Sequence, residues 1–576
     1  MEAGGPSEIP VRGAHETIGT RGARRQFQPT HPLRASDVQF YRFCEDLTEA
    51  LVYSMVLFGP WAFGTTQPWS IWTMNVGGYL LGVLLMAKLA IRWLKGYRPP
   101  RWDEEAGQRD NGTTGLQDHG TTGLQDHGTK GLEARGLRTR DGALRTRLTT
   151  ALAVLTVAIL GYCLISALNA RATYHPRELS FEYHPFLKWL PASFDRSRSW
   201  LAFWNYLGLA CSFWAVRDWL LGKSSGEERA ARQKGRGERV EGGASRDEAP
   251  GRGNWASTGE TPAPLFPARL RRLLWVLAIN GGLLGVECIA QRVSGSGKLL
   301  FLVKPRVNLE GETQFGPYAY RSNAAQYFNL LWPVALGFWW TLQRSGGFRR
   351  KAMHLLLLAS IVMAACPIIS TSRGGALVTA GIVVFALVFL LGAQFFPAQR
   401  RDSARRNILP FAVVGLCLAA ALTFGYALGG KALRPRLTYL QEGFEDREQM
   451  YAAARPMAAD YPLFGTGPGT FEYVFQLYRI STATYWPAQL HNDWLETRIT
   501  FGWVGSALIG LAFAAVLLRW FARGGIHGGR RFTVLLWLAL AGCLVHARYD
   551  FPFQICSIVW LFLILCAVLA NLSRRA

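Results

Sequence analysis

The sequence predicts an all-α, polytopic membrane protein with about twelve transmembrane helices. Three observations carry that prediction. Half of the residues are hydrophobic and only 18% are charged, against about 25% in a typical soluble domain. The apolar residues gather into runs that approach the roughly 20 residues a helix needs to cross a bilayer core. The segments between the runs alternate between strongly basic and not.

Taken in order, the runs fall near 48–64, 71–94, 149–169, 200–221, 272–293, 323–342, 353–371, 375–396, 408–428, 499–521, 532–547 and 553–572. Pro60 and the tail "FGTTQPW" interrupt the first. One set of connections is basic: "WLKGYRPPRW", the linker after 221, "QRSGGFRRKA", "QRRDSARR", "RGGIHGGRR" and the terminal "SRRA". The other set comprises the turn after the first run and the loops near 170–199, 294–322, 371–375, 429–498 and 547–552. Positive charge favours the cytoplasmic side, so the basic set and both termini are expected inside. The chain then divides into a cytoplasmic segment, 1–47, and a membrane domain, 48–576. The membrane domain includes two cytoplasmic linkers expected to be disordered, 97–147 and 222–268, and a large, partly helical outer loop, 429–498. The first linker carries an octapeptide repeat, "GTTGLQDH GTTGLQDH GTKGLEAR", too polar and short to bury a core.

The net charge of +24 lies mostly in those short clusters, which suits membrane topology rather than nucleic acid. Met1–Asp46 has no early apolar core and does not read as a signal peptide. The nine cysteines show no zinc-like spacing. A phosphate-binding GxxxxGK[ST] loop and a DxD pair are both missing from the sequence. Neither a metal nor a cofactor is expected, so any chemistry must act on a substrate already at the outer membrane surface.

The basic clusters inside are explained by topology; the polar residues outside are not. Arg321 and Asn323 stand at a helix start, where free N–H groups suit either an anion or a simple cap. Arg373 sits in "STSRGGAL", a tight turn whose hydroxyls and glycines could cradle an anion or hold a snorkelling arginine. Arg447 lies near the start of a helical stretch, where it either pairs with Glu445 or Asp446 or serves a ligand. In "HNDWLETRITFGWVG", His491 would share a helical face with Leu495 and Arg498, and Asn492 one with Glu496; such a histidine moves protons or is merely hydrogen-bonded. His546, Arg548 and Asp550 crowd the short turn "HARYDFPF", with Arg548 and Asp550 expected to pair.

Four of these stretches, "STSRGGAL" (370–377), "DREQMYAAARPMAADYPLFGTGPGTF" (446–471), "HNDWLETRITFGWVG" (491–505) and "HARYDFPF" (546–553), resemble the O-antigen ligase / O-antigen polymerase family in order and spacing. This family of bacterial inner-membrane glycosyltransferases is related to protein O-oligosaccharyltransferases. The resemblance implies a GT-C-like fold in the bacterial inner membrane. It implies transfer of a glycan from a polyprenyl-diphosphate carrier to an acceptor hydroxyl on the periplasmic face, by metal-independent, inverting displacement. The acceptor would be lipid A-core, a growing polysaccharide or a protein. On this reading His491, Arg447 and Arg373 are the catalytic residues, Arg373 and Arg447 holding the diphosphate and His491 meeting the acceptor. Arg321, Asn323, Asn492, Glu496 and His546 would contact or frame the substrates. The chain departs from the pattern at "YRSNAAQ", which lacks the Asn-His pair many relatives show. The alternative is a non-enzymatic transporter or flippase of lipid-linked glycans; no two halves of the sequence resemble each other, as such carriers often do.

Overall fold

The protein is described here by a computed structural model covering residues 32–102, 128–230, 266–344, 350–395, 409–439, 441–480, 487–518 and 530–572. Each of the twelve apolar runs coincides over most of its length with a helix. They are α1 (Ala35–Trp61), α2 (Pro68–Leu94), α3 (Gly128–Leu168), α4 (Arg196–Leu221), α5 (Ala268–Ser294), α6 (Arg321–Arg344), α7 (Arg350–Ile369), α8 (Arg373–Phe395) and α9 (Leu409–Thr438), then α11 (Asp493–Leu517), α12 (Arg530–His546) and α13 (Cys556–Leu572). Between them α10 (Glu442–Asp460) forms the helical part of the long loop. Among the described residues, six helices are long and apolar enough to cross a membrane: α2, α3, α5, α7, α9 and α11.

Several boundaries move. Most of the octapeptide repeat and about half of the linker 97–147 lie outside the described residues, as do 1–31 and 231–265. However, α3 begins at Gly128, inside the stretch expected to be linker. The loop expected over 429–498 is shorter, because α9 continues to Thr438 and α11 already starts at Asp493. A helix can extend past the apolar run wherever its backbone hydrogen bonds continue, and hydropathy does not register that. A small hairpin also departs from the all-α prediction: β1 (Ala172–His175) pairs antiparallel with β2 (Ser180–Tyr183). Tyr174 of β1 stacks on Tyr473 at 4.2 Å, which fixes the hairpin on the loop region.

α6 is the central post. Its residues from Ser322 to Leu342 are almost all buried, whichever way they face, as a helix enclosed on every side requires. It packs against α7, α8 and α12. Asn329 ties it to α8, donating to the Gly375 carbonyl at 3.0 Å and accepting from Thr379 Oγ1 at 2.7 Å. Gly374 and Gly375 allow this close approach: a Cβ on Gly375 would strike Ala325, and one on Gly374 would lie 3.0 Å from His546 Nε2.

At the end of the bundle away from the α6 start, Lys88 is fully buried between Glu45 (2.9 Å) and Asp218 (3.2 Å). Arg92 and Arg101 reach Asp218, and Arg269 reaches Glu45. Basic residues that topology alone seemed to explain therefore also lock α1, α2, α4 and α5 together.

α11 is broken. Gly502 has φ 60°, ψ −167°, and the backbone groups released by the break bond to the segment "YPLFGTG" instead. Trp503 N donates to Pro462 O (2.9 Å) and Val504 N to Leu463 O (3.1 Å), while Thr466 N and Gly467 N donate to Ile499 O (2.9 Å) and Thr500 O (3.0 Å). Tyr162 of α3 closes the knot by donating to Phe501 O at 3.0 Å. In a low-dielectric slab unpaired backbone is costly, so a broken helix persists only when refilled this way. A Cβ on Gly502 would collide with the Leu463 backbone, and its φ is left-handed. Gly502→Ala should destabilise the protein by about 1–3 kcal/mol from backbone strain alone, read as a lower thermal unfolding midpoint in detergent. An unchanged midpoint would show that the break is not constrained.

Candidate functional site

Three short segments converge at the start of α6: the turn 547–555 between α12 and α13, the approach to α11, and the start of α8. Asp550, buried in the first, is their common partner. Its Oδ1 accepts from His491 Nδ1 at 3.1 Å and from the Phe551 backbone N–H at 3.1 Å. Its Oδ2 accepts from Ser322 Oγ and from Tyr320 OH at 3.4 Å. Arg447 Nη2 lies 3.9 Å and His546 Nε2 3.8 Å from the same oxygen. Burial pushes the Asp550 carboxyl up, but the hydrogen bond and charge of His491, then the charges of Arg447 and His546, outweigh it and hold the group below the ordinary carboxylate range. Burial and the Asp550 charge push the Tyr320 phenol up, so it remains a neutral donor. Burial lowers the Arg447 guanidinium, and Asp550 and Tyr320 more than restore it.

His491 does not share a helix face with Leu495 and Arg498 as expected. It precedes α11 in a left-handed conformation, φ 59°, its carbonyl held by Tyr451 OH at 2.8 Å. Its ring packs edge-on against Tyr320 and Phe551, with centroids at 5.7 and 4.7 Å. A carboxylate only accepts, so Asp550 fixes the proton on Nδ1 and leaves Nε2 as the basic nitrogen of the neutral ring. Nε2 has no hydrogen bond among the described residues, and the side chain is 30% exposed.

The residues flanking His491 serve the frame. Asn492 caps α11, accepting from Leu495 N at 3.1 Å. Asp493 accepts from Phe553 N at 2.8 Å, and its own N–H donates to Ala547 O at 2.8 Å, clamping the two segments that carry His491 and Asp550. Glu496 turns back to accept from Leu490 N at 2.8 Å. Asn323 is buried. None of these four borders the cavity described next, so Asn323, Asn492 and Glu496 are not brought to a substrate position there.

That cavity, about 550 Å³, opens beside Asp550. One end is polar, lined by Arg321, Arg373, Arg436 and Arg447 with Ser322, Ser372 and His546. The rest is an apolar slot between α8 and α12, walled by Leu377, Ile382 and Phe385 on one side and Trp537, Ala541 and Val545 on the other. From Arg373 to Phe385 the slot follows α8 for about 18 Å at 1.5 Å per residue. Phe385 is 64% exposed, so the slot reaches the lateral surface of the bundle. Arg373 donates to Tyr439 O at 3.2 Å, and Arg321 to Glu312 O at 2.6 Å and Thr371 Oγ1 at 3.3 Å. Ser372 caps α8 through Gly375 N at 3.1 Å. His546 bridges Gln326 Oε1 (2.6 Å) and Ser322 Oγ (3.2 Å).

Of the sequence candidates, Arg321, Arg373, Arg447 and His546 line the cavity, and His491 stands next to it across Asp550 and Tyr320. One expected pairing differs, and one open alternative is decided. Asp550 engages His491 and Arg447 rather than Arg548, whose guanidinium lies over the Tyr549 ring at 5.6 Å. Arg447 reaches across to the 547–555 turn instead of pairing with its neighbours on α10. Tyr320, Ser322 and Arg436 were not read from the sequence: a tyrosine and a serine before a helix look like capping, and Arg436 looks like one more cation among Lys431 and Arg434.

A comparison with curated proteins finds no match for this chain. A family model described as O-Antigen ligase matches residues 358–510, roughly a quarter of the chain, from α7 into α11. That stretch contains Arg373, Arg436, Arg447 and His491, while Tyr320, Ser322, His546 and Asp550 come from outside it. Over this stretch the chain is similar to the O-antigen ligase family.

Proposed function

We propose that the protein is a bacterial inner-membrane glycosyltransferase that moves a glycan from a polyprenyl-diphosphate carrier to an acceptor hydroxyl on the periplasmic face, as an O-antigen ligase or polymerase. The single observation that carries this reading is the shape of the cavity: a cluster of arginines joined to a long apolar slot that opens sideways between two helices. A lipid diphosphate has that same division, and the family match supports lipid-linked glycan and acceptor substrates in general. The break in α11 does not favour a carrier, because among the described residues it is filled by the chain's own backbone.

In the proposed reaction the isoprenoid lies in the slot and the arginines hold the diphosphate bidentately, with no risk of deprotonation. The acceptor hydroxyl approaches on the His491 side. Its oxygen attacks the anomeric carbon as the bond to the diphosphate breaks, the electron pair leaving on the diphosphate. The hydroxyl proton passes to His491 Nε2, and Asp550 stabilises the imidazolium that results. A single displacement inverts the anomeric centre.

The test is a purified preparation given a polyprenyl-diphosphate glycan and candidate acceptors. Release of polyprenyl diphosphate with glycosylation of the acceptor supports the proposal, and a product that retains the donor's anomeric configuration argues against single displacement. His491→Ala and Arg447→Ala should each lower kcat by about a hundredfold or more; full activity in either removes that residue from the mechanism. Asp550→Asn keeps the shape but loses the charge that fixes the His491 tautomer, so kcat should fall by about 10²–10⁴ with intact folding. The sign of the pH dependence follows from a depressed carboxyl. Its stabilising contribution is complete above the unfolded value near pH 4 and is lost as pH falls below that. The thermal midpoint of Asp550→Asn should therefore lie below the wild type at pH 7, with the gap closing only in acid. A gap that closes between pH 8 and 5 would contradict the assignment.

A further inference from the structure

The four arginines at the head of the cavity are not equally compensated. Among the described residues only Arg447 has a carboxylate within 4 Å, that of Asp550. Arg321 and Arg373 are satisfied by neutral oxygens: Glu312 O and Thr371 Oγ1 for the first, and Tyr439 O for the second. Arg436 lies in the last turn of α9, where the helix dipole favours a cation even without an acid beside it. Its Nε is buried and has no hydrogen-bond partner, yet the side chain lines the cavity. Its neighbours Lys431 and Arg434 on the same helix are exposed. The wall is thus more positive than its own acids neutralise, on the side of the bundle where the positive-inside rule gives no reason for cations.

We infer that Arg436 is a diphosphate-binding residue whose main effect is on the departing group. The inference rests on the proposed lipid-diphosphate reading of the cavity and extends it to a residue and a step. In the donor the glycosyl diphosphate is esterified at both ends. When the bond from the anomeric carbon to the diphosphate oxygen breaks, the electron pair stays on that oxygen and the diphosphate gains one negative charge. The acceptor oxygen takes its place on carbon, and the acceptor proton goes to the base. A wall holding an uncommitted guanidinium binds the more highly charged leaving group better than the donor, and that difference accelerates the step. The same excess holds the product, so polyprenyl diphosphate should inhibit and a lipid monophosphate should do so less.

The experiment uses the full chain in detergent, with polyprenyl diphosphate and polyprenyl monophosphate as added inhibitors. Arg436→Gln should lower kcat by about tenfold to a hundredfold with little change in the donor KM, the signature of an interaction made in the transition state. It should weaken inhibition by polyprenyl diphosphate about tenfold while that by the monophosphate changes less. Arg436→Lys should recover part of both, and Arg434→Gln should resemble the wild type. Wild-type kcat and inhibition in Arg436→Gln, alongside losses in Arg447→Gln, would overturn the role of Arg436 and leave the donor site standing. Equal losses for both lipids with a lowered thermal midpoint would assign Arg436 to the frame and overturn the inference. If the wild type binds neither lipid, the reading of the cavity falls, and the role of Arg436 with it.

Discussion

The site depends on one buried carboxylate. Asp550 takes hydrogen bonds from a histidine, a serine, a tyrosine and the backbone, and lies beside the Arg447 guanidinium. Ionisable groups this far from water are costly unless paired and fully bonded. The cost is met by gathering partners from segments far apart in sequence, the α6 start, α10, the approach to α11 and the end of α12. Once Asp550 is ionised, the proton position on His491, the orientation of Tyr320 and the reach of Arg447 are all set.

That arrangement needs a rigid support for His491, which stands on a non-helical residue at a helix start. The broken α11 provides it. The segment from Pro462 to Gly467 pairs with the unwound turn around Gly502, and Tyr162 ties both to α3. Asp493 then clamps the helix start to the 547–555 turn. The acidic residues next to His491 therefore bond to its frame, Asp493 to the 547–555 turn and Glu496 to the Leu490 backbone.

Charge is used differently at the two ends of the bundle. At the end built from α1, α2, α4 and α5, the cations Lys88, Arg92, Arg101 and Arg269 each reach Glu45 or Asp218. That is a closed network whose effect is to hold helices together. At the cavity, the arginines outnumber the acids among the described residues. Cations in excess of their counter-charges are electrostatically unfavourable on their own, and in the proposed function the diphosphate of the substrate balances them.

The sequence by itself determined the helical membrane architecture, the positions of the twelve apolar runs, a resemblance to the O-antigen ligase family, and four residues of the cavity wall. These follow from local quantities: hydropathy over a helix length, charge between runs, and short motifs with fixed spacing. It placed His491 on a helix face, paired Asp550 with Arg548 and gave substrate roles to Asn323, Asn492 and Glu496, because sequence neighbours are the only neighbours it offers. Only the tertiary structure decided that Asp550 joins His491 to Arg447, that Arg436 turns into the cavity while Arg434 turns out, and that a glycine-rich loop mends a broken helix. Each of those depends on which distant backbone fills a given space. A chain in a low-dielectric slab settles that by satisfying every polar group at once, not residue by residue.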